Sequence, residues 1–236
     1  CIRDRLVRSG ELSYTYEHGG SYLEVSMMQP VRLGHRLALL PPGWETSSVA
    51  DDTTVALRIQ TGAAFGCGRH PTTRLALRGA EAVLSDLMPW PIAGKVSTAL
   101  DIGTGSGILA IAALKLGIHS AVGVDRDPCA RAEALINARL NDLETRFEIT
   151  EKPLRDLAPG AAFTLILANL RSPTLLSLRE RAAELLEPYG ALVLSGIKID
   201  EQPALIKAYA QYRLHTCWSE EDKGWAGIVL RPESKI

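Results

Sequence analysis

The sequence predicts a doubly wound α/β fold: a mostly parallel seven-stranded sheet with helices on both faces and a terminal antiparallel hairpin. Three observations predict it. From Pro71 onward, short apolar runs alternate with segments of helical period, which is the pattern of a parallel sheet wound on both faces. A glycine-rich turn, "DIGTGSG" (Asp101 to Gly107), stands where the first of these runs hands over to a helix. The last two apolar runs, "RLHTCWSE" and "WAGIVLRP", are separated only by "EDKG", a hairpin signal.

The elements follow in order. "LSYTY" and "SYLEVSM" flank "EHGG" and read as a hairpin; "HRLALL" and "TTVALRIQ" read as further strands. No long helical period occurs in this part, so residues 1–60 are expected to form a β-rich extension and 61–236 the main domain. "PTTRLALRGAEAVLSDL" places Leu75, Ala76, Ala80, Val83, Leu84 and Leu87 on one helical face, with Pro71 suited to the first turn. "VSTALDI" is a buried strand, and "GILAIAALKLG" a helix closed by Gly117. "AVGVD" is the second strand of the main sheet. "DPCARAEALINARLN" is a helix with Asp127 as N-cap and Pro128 at its first position. "RFEITE" and "FTLILANL" are strands, the latter apolar almost throughout, as a strand covered on both faces should be. "SPTLLSLRERAAELLEPYG" reads as a helix running to its stop at Gly190, "ALVLSGI" as the fifth strand and "DEQPALIKAYAQ" as a helix.

Composition excludes several classes. The chain has 236 residues, 46% hydrophobic and 22% charged, with a formal net charge of -1. That balance gives no bulk attraction to nucleic acid or to an anionic membrane. No apolar run approaches the roughly 20 residues that span a bilayer, and "CIRDRLVRSG" has no apolar core of a signal peptide. The four cysteines, Cys1, Cys67, Cys129 and Cys217, form no paired or metal-like cluster. They read as free thiols of a cytoplasmic protein, and no metal is expected.

The glycine turn carries the functional reading. In a doubly wound sheet, ligands bind beyond the carboxyl ends of the strands. Gly103 and Gly105 allow positive φ and bring backbone N–H groups up to a ligand with no Cβ in the way. A tight structural turn would show the same glycines. The acid at the end of the second strand, Asp125, lies 125 − 103 = 22 positions after Gly103, the distance at which a carboxylate grips two ribose hydroxyls. A dinucleotide site wants a further glycine where Ile108 stands. Asp101, just before the turn, would repel a pyrophosphate and attract a cationic amino-acid group. The pattern therefore favours S-adenosylmethionine.

Two further stretches stand out. Asn169 ends the fourth strand's apolar run; its amide can accept from a substrate amine or cap the next helix, and the sequence does not separate the two. "TGAAFGCGRHPTT" places Phe65, His70 and Thr73 in a glycine-rich segment ahead of a helix. It reads as a loop that folds over a cofactor, with Phe65 against its surface, or as a plain linker. No nucleophile–acid pattern accompanies His70 or Cys67.

Taken together, "AFGCGRHPTT", "LDIGTGSGILAIAALKLG", "VGVDRDP", "LILANL" and "LVLSGI" resemble the PrmA family, bacterial methyltransferases that modify a large-subunit ribosomal protein. The resemblance runs from about Val31 to Pro232. It implies a Rossmann-like class I methyltransferase fold and transfer of methyl groups from S-adenosylmethionine to lysine or N-terminal amines of a ribosomal protein. It also implies a donor site at the positions matching Thr73, Gly103, Asp125 and Asn169. Three features depart from the family's pattern. The thirty or so residues before "PVRLGHRLALLPPGWE" match its recognition domain poorly; Cys67 and Arg69 replace other residues in the loop; and Leu-Arg-Ser-Pro follows Asn169. These bear on the protein substrate rather than on the cofactor. The competing readings are a small-molecule methyltransferase, a nicotinamide-dependent reductase, and a nucleotide-binding module without catalysis.

Overall fold

The computed structural model describes residues 5–7, 9, 12–17, 20–25, 29–41, 44, 53–60, 62–84, 97–157 and 160–233. Its centre is a seven-stranded sheet built from β6 (Thr98–Ile102), β7 (Ser120–Val124), β8 (Phe147–Thr150), β9 (Phe163–Asn169), β10 (Leu186–Lys198), β11 (Leu214–Asp222) and β12 (Trp225–Pro232). The strands lie in the order β11-β12-β10-β9-β6-β7-β8. β6 to β10 run parallel, and β12 is antiparallel to both of its neighbours. The order reverses between β6 and β9, so the chain's switch point lies at that pair.

Helices cover both faces. α1 (Pro71–Leu84), α2 (Ile108–Lys115) and α3 (Pro128–Leu140) pack on one; α4 (Ser172–Leu185) and α5 (Gln202–Ala210) pack on the other. β9 shows why its sequence is apolar throughout: Leu165 and Leu167 enter the first layer, Ile166 and Ala168 the second. A strand buried on both faces has no polar side to present.

The expected punctuation is visible in the backbone. Asp127 caps α3 by accepting from Cys129 N at 2.8 Å, with Pro128 following it. Gly117 closes α2 at φ 115°, its N–H donating to Leu114 O and that of Ile118 to Ala113 O, a left-handed helix stop. β11 and β12 are joined by Lys223 and Gly224, both at positive φ (50° and 82°), the turn whose twist matches a two-residue hairpin.

One boundary differs from the sequence reading. The helix expected to reach Gly190 ends at Leu185, and Leu186 already pairs with Phe163 in β10. Pro188 has no N–H to continue a helix, and the register shift between Leu186 and Ala191 absorbs the irregular stretch. The first helix is described as far as Leu84; its expected end at Leu87, Cys1 and Ser47–Asp52 lie outside the described residues.

Ahead of the main sheet, β1 (Leu12–Glu17) and β2 (Gly20–Val25) form the expected hairpin. β3 (Val31–Arg32), β4 (Leu37–Leu40) and β5 (Val55–Arg58) form a three-stranded sheet. Leu37, Leu39 and Leu57 of that sheet share the core of α1 and α2. The junction is also polar: Glu81 of α1, 4% exposed, accepts from the backbone N–H of His35, Arg36 and Leu37 at 2.8, 2.6 and 2.7 Å.

Candidate functional site

A cleft of about 580 Å³ opens at the carboxyl ends of β6, β7, β9 and β10, over the switch point. Gly103 and Gly105 form one wall. Asp125, Asp127 and Ala130 follow from the β7–α3 connection; Asn169, Leu170 and Arg171 follow from the end of β9. Gly196 and Trp225 close one end; Ala63, Ala64, Phe65 and His70 come from the segment before α1, and Thr72 from its first turn.

The glycines of the turn answer a steric demand. Gly103, Gly105 and Gly107 have φ of 71°, 54° and 82°, a region costly for residues with a Cβ. A Cβ on Gly105 would stand 2.4 Å from Phe65 O, and one on Gly103 would stand 2.7 Å from Leu170 Cδ2. The turn thus needs glycine for its own path and because two other cleft segments pass against its bare backbone. Gly103 N and Thr104 N both donate to Val124 O (2.8 and 3.1 Å), tying the turn to the end of β7.

Asp125 sits where that tie places it. Its Oδ2 accepts from Gly105 N at 2.9 Å and its Oδ1 from Asp127 N at 3.0 Å. Each carboxylate oxygen has a second acceptor site, which leaves Asp125 able to receive two ligand hydroxyls on the cleft wall.

Asp101 requires a correction. It is fully buried and does not line the cleft. Its Oδ2 accepts from Thr104 Oγ1 (2.7 Å) and Ala110 N (3.3 Å), while its Oδ1 is buried without a partner. Burial raises its pKa to about 7, against the lowering effect of those two hydrogen bonds and with a small push from Asp125. It braces the turn from beneath; the cationic attraction expected of it has no solvent-facing carboxylate to act through.

Thr73 is likewise off the wall. It is 1% exposed and its Oγ1 has no hydrogen-bond partner; its neighbour Thr72 is the residue that lines the cleft. One step along a helix turns a side chain by about 100°, from 3.6 residues per turn, and the sequence position alone does not show which threonine faces in. Asn169 and Phe65 do lie on the wall, with Phe65 55% exposed. The helix-capping alternative for Asn169 is not what the backbone shows: the N-cap position of α4 is Arg171.

Sequence reasoning missed Trp225, Arg171, Gly196 and Asp127 as wall residues. Asp127 and Gly196 had signals, an N-cap and a glycine at a strand's carboxyl end; Trp225 and Arg171 had none. Trp225 completes an aromatic row: its ring centroid is 5.3 Å from that of His70, which is 5.4 Å from Phe65, both edge-on. Lys198 Nζ stands 3.6 Å over the Trp225 ring. Burial, then the charges of Lys198 and Arg74, lower the His70 pKa below the ordinary value. Among the described residues no group of three or more His, Cys, Asp or Glu is placed to hold a metal ion, and no helix is long and apolar enough to cross a membrane.

This strand order, with a glycine turn after β6 and an acid after β7, defines the Rossmann-like methyltransferase fold. An O-methyltransferase family protein from Burkholderia thailandensis shares the fold at 16% identity, over 70% of this chain and 61% of that one, with a TM-score of 0.51. The family described as Ribosomal protein L11 methyltransferase (PrmA) matches residues 23–233, and the chain belongs to that family. A ribosomal protein L11 methyltransferase of Xylella fastidiosa is 39% identical over 210 residues, 86% of this chain. One of Pelobacter propionicus is 39% identical over 203 residues, also 86% of this chain. The chain spans 64% and 63% of the length of these two relatives. A crystal structure of a ribosomal protein L11 methylase from Lactobacillus delbrueckii subsp. bulgaricus aligns with a TM-score of 0.73 at 30% identity, over 87% of this chain and all of that one.

Proposed function

We propose that this chain is an S-adenosylmethionine-dependent methyltransferase acting on an amine of a protein, a large-subunit ribosomal protein in the cytoplasm. Residues 61–236 would serve as the donor-binding domain and 1–60 as its β-rich extension. The observation that carries the reading is the convergence of Gly103, Gly105, Asp125 and Asn169 on one cleft at the switch point. The names of the relatives supply the substrate class.

The wall fits the donor's parts. Asp125 offers free acceptor sites for two ribose hydroxyls, and the bare turn lets backbone approach without a Cβ. Bound there, S-adenosylmethionine supplies a methyl group on a positively charged sulfur. The chain's own task is to bring an amine up to it. Asn169 offers an amide oxygen that accepts from the amine's N–H and orients it; positioning of this kind is itself a large accelerating effect. Phe65 and Trp225 give the mouth apolar surface that displaces water. His70, its pKa lowered, is largely neutral at pH 7 and does not repel an approaching amine. The amine reacts only after losing its proton, and solvent at the open mouth can take it.

The test is transfer of labelled methyl from S-adenosylmethionine to purified large-subunit ribosomal protein L11 and, separately, to a cell lysate. Label in a ribosomal protein is expected, and its loss in Asn169→Ala. Label confined to small molecules would support the small-molecule reading; donor binding with no label in any fraction would support a binding module.

A further inference from the structure

The segment from Gly62 to His70 crosses the mouth of the cleft outside any helix or strand, yet its backbone is pinned on two sides. On one, Ser106 N donates to Phe65 O (2.9 Å) and Ser106 Oγ to Gly66 O (2.8 Å), which fixes it to the glycine turn. On the other, Glu133 reaches up from α3. Its Oε1 accepts from Ala63 N at 2.7 Å, and both oxygens stand 3.1 Å from Ala64 N. Asn137, one helical turn on, accepts from Gln60 N and donates to Ser106 O, each at 2.8 Å. One face of α3 therefore holds both the crossing segment and the turn beneath it.

The approach is close as well as polar. A Cβ on Gly62 would lie 2.2 Å from Glu133 Oε1, so the segment is shaped to receive this carboxylate. Glycines at 62, 66 and 68 give the free segment many alternatives to its observed path. A charge-assisted bond from carboxylate to backbone N–H is of the stronger kind, and here one carboxylate selects among those paths.

We infer that Glu133 is a positioning residue: by holding Ala63 and Ala64 it sets the seat of Phe65 over the cleft before any donor arrives. The inference rests on the methyltransferase reading above and adds a device to it. A site whose competent arrangement is only partly populated binds its ligand more weakly by that fraction. The latch keeps the fraction high, and it acts without touching the donor.

Hydrogen exchange of the whole chain, free of ligand, tests the latch directly. In Glu133→Ala, amides in the peptide covering residues 60–69 exchange faster, as does Ser106, whose N–H donates to Phe65 O, while those of 163–168 are unchanged. Calorimetry with S-adenosylhomocysteine then shows affinity reduced roughly tenfold, the equivalent of about 1.4 kcal/mol. Glu133→Gln, which keeps one acceptor oxygen, falls between. In turnover the KM for the donor rises while kcat at saturation is retained, a split that a general loss of folding would not give. Unchanged exchange at 60–69 would overturn the latch; faster exchange with unchanged affinity would overturn its positioning role. An unsubstituted protein that binds no S-adenosylhomocysteine would sink the methyltransferase reading, and the positioning role with it.

Discussion

Replacing Asp101 by Asn changes how stability depends on pH, and the structure fixes the direction. Asp101 is enclosed, with a folded-state pKa of about 7 against 3.8 for the free side chain. The folded protein therefore holds this proton over a range in which the unfolded chain has released it. The stability from Asp101 is complete below about pH 4 and is lost as pH rises through 7. Three pH units at about 1.36 kcal/mol each make that loss roughly 4 kcal/mol. Asn presents an amide oxygen where Oδ2 accepts from Thr104 and Ala110, with no charge to desolvate. Its amide NH2 falls where Oδ1 lacks a partner, the same place where the protonated parent carries its O–H, so each neutral side chain leaves a buried donor unsatisfied there. Asp101→Asn should therefore be close to the parent in stability at pH 4 and more stable than it at pH 8. Urea unfolding of both proteins at half-unit pH steps measures the difference. Parallel curves from pH 4 to 8 would show that Asp101 does not titrate as its burial requires.

Other expectations follow from the same structure. Glu81→Ala removes a buried carboxylate from three backbone donors; because Leu37 is fully enclosed while His35 can regain water, a loss of about 1–3 kcal/mol is expected in urea unfolding, and no loss would contradict the docking role. Gly105→Ala forces a Cβ against Phe65 O at a left-handed φ and should weaken S-adenosylhomocysteine binding at least about tenfold, a change read by calorimetry. Asn169→Ala should lower methyl transfer by orders of magnitude with little change in melting temperature; lost stability with normal turnover would leave Asn169 structural.

Much of this was legible because the signals were local. Pro71, Asp127–Pro128 and Gly117 mark helix ends by their own backbone chemistry, and all three stand at those ends. The glycine turn announced itself through residues that only a left-handed path requires, and Asp125 through its distance from Gly103. What stayed hidden depended on contacts between distant segments. The helical period carries on past Leu185, and only the pairing of Leu186 with Phe163 shows where sheet takes over. Asp101 ends an apolar strand as a rim residue would, but Thr104 and Ala110 draw its carboxylate inward. Trp225 reaches the cleft from the last hairpin because β12 lies beside β10, an order no local pattern encodes. Glu133 carries no local signal at all; its role depends on Ala63, seventy residues earlier, lying against it.

The account rests most directly on the cleft over the switch point being a methyl-donor site built around Asp125. Titrating the purified chain with S-adenosylhomocysteine by calorimetry, beside Asp125→Ala and beside a nicotinamide dinucleotide, tests this in one experiment. Saturable one-site binding is predicted for the parent. The variant should be weakened at least about tenfold, from charge-assisted hydrogen bonds worth about 1.5–3 kcal/mol each, and the dinucleotide should give no binding heat. Dinucleotide binding without S-adenosylhomocysteine binding, or equal affinity in the folded Asp125→Ala variant, would contradict it.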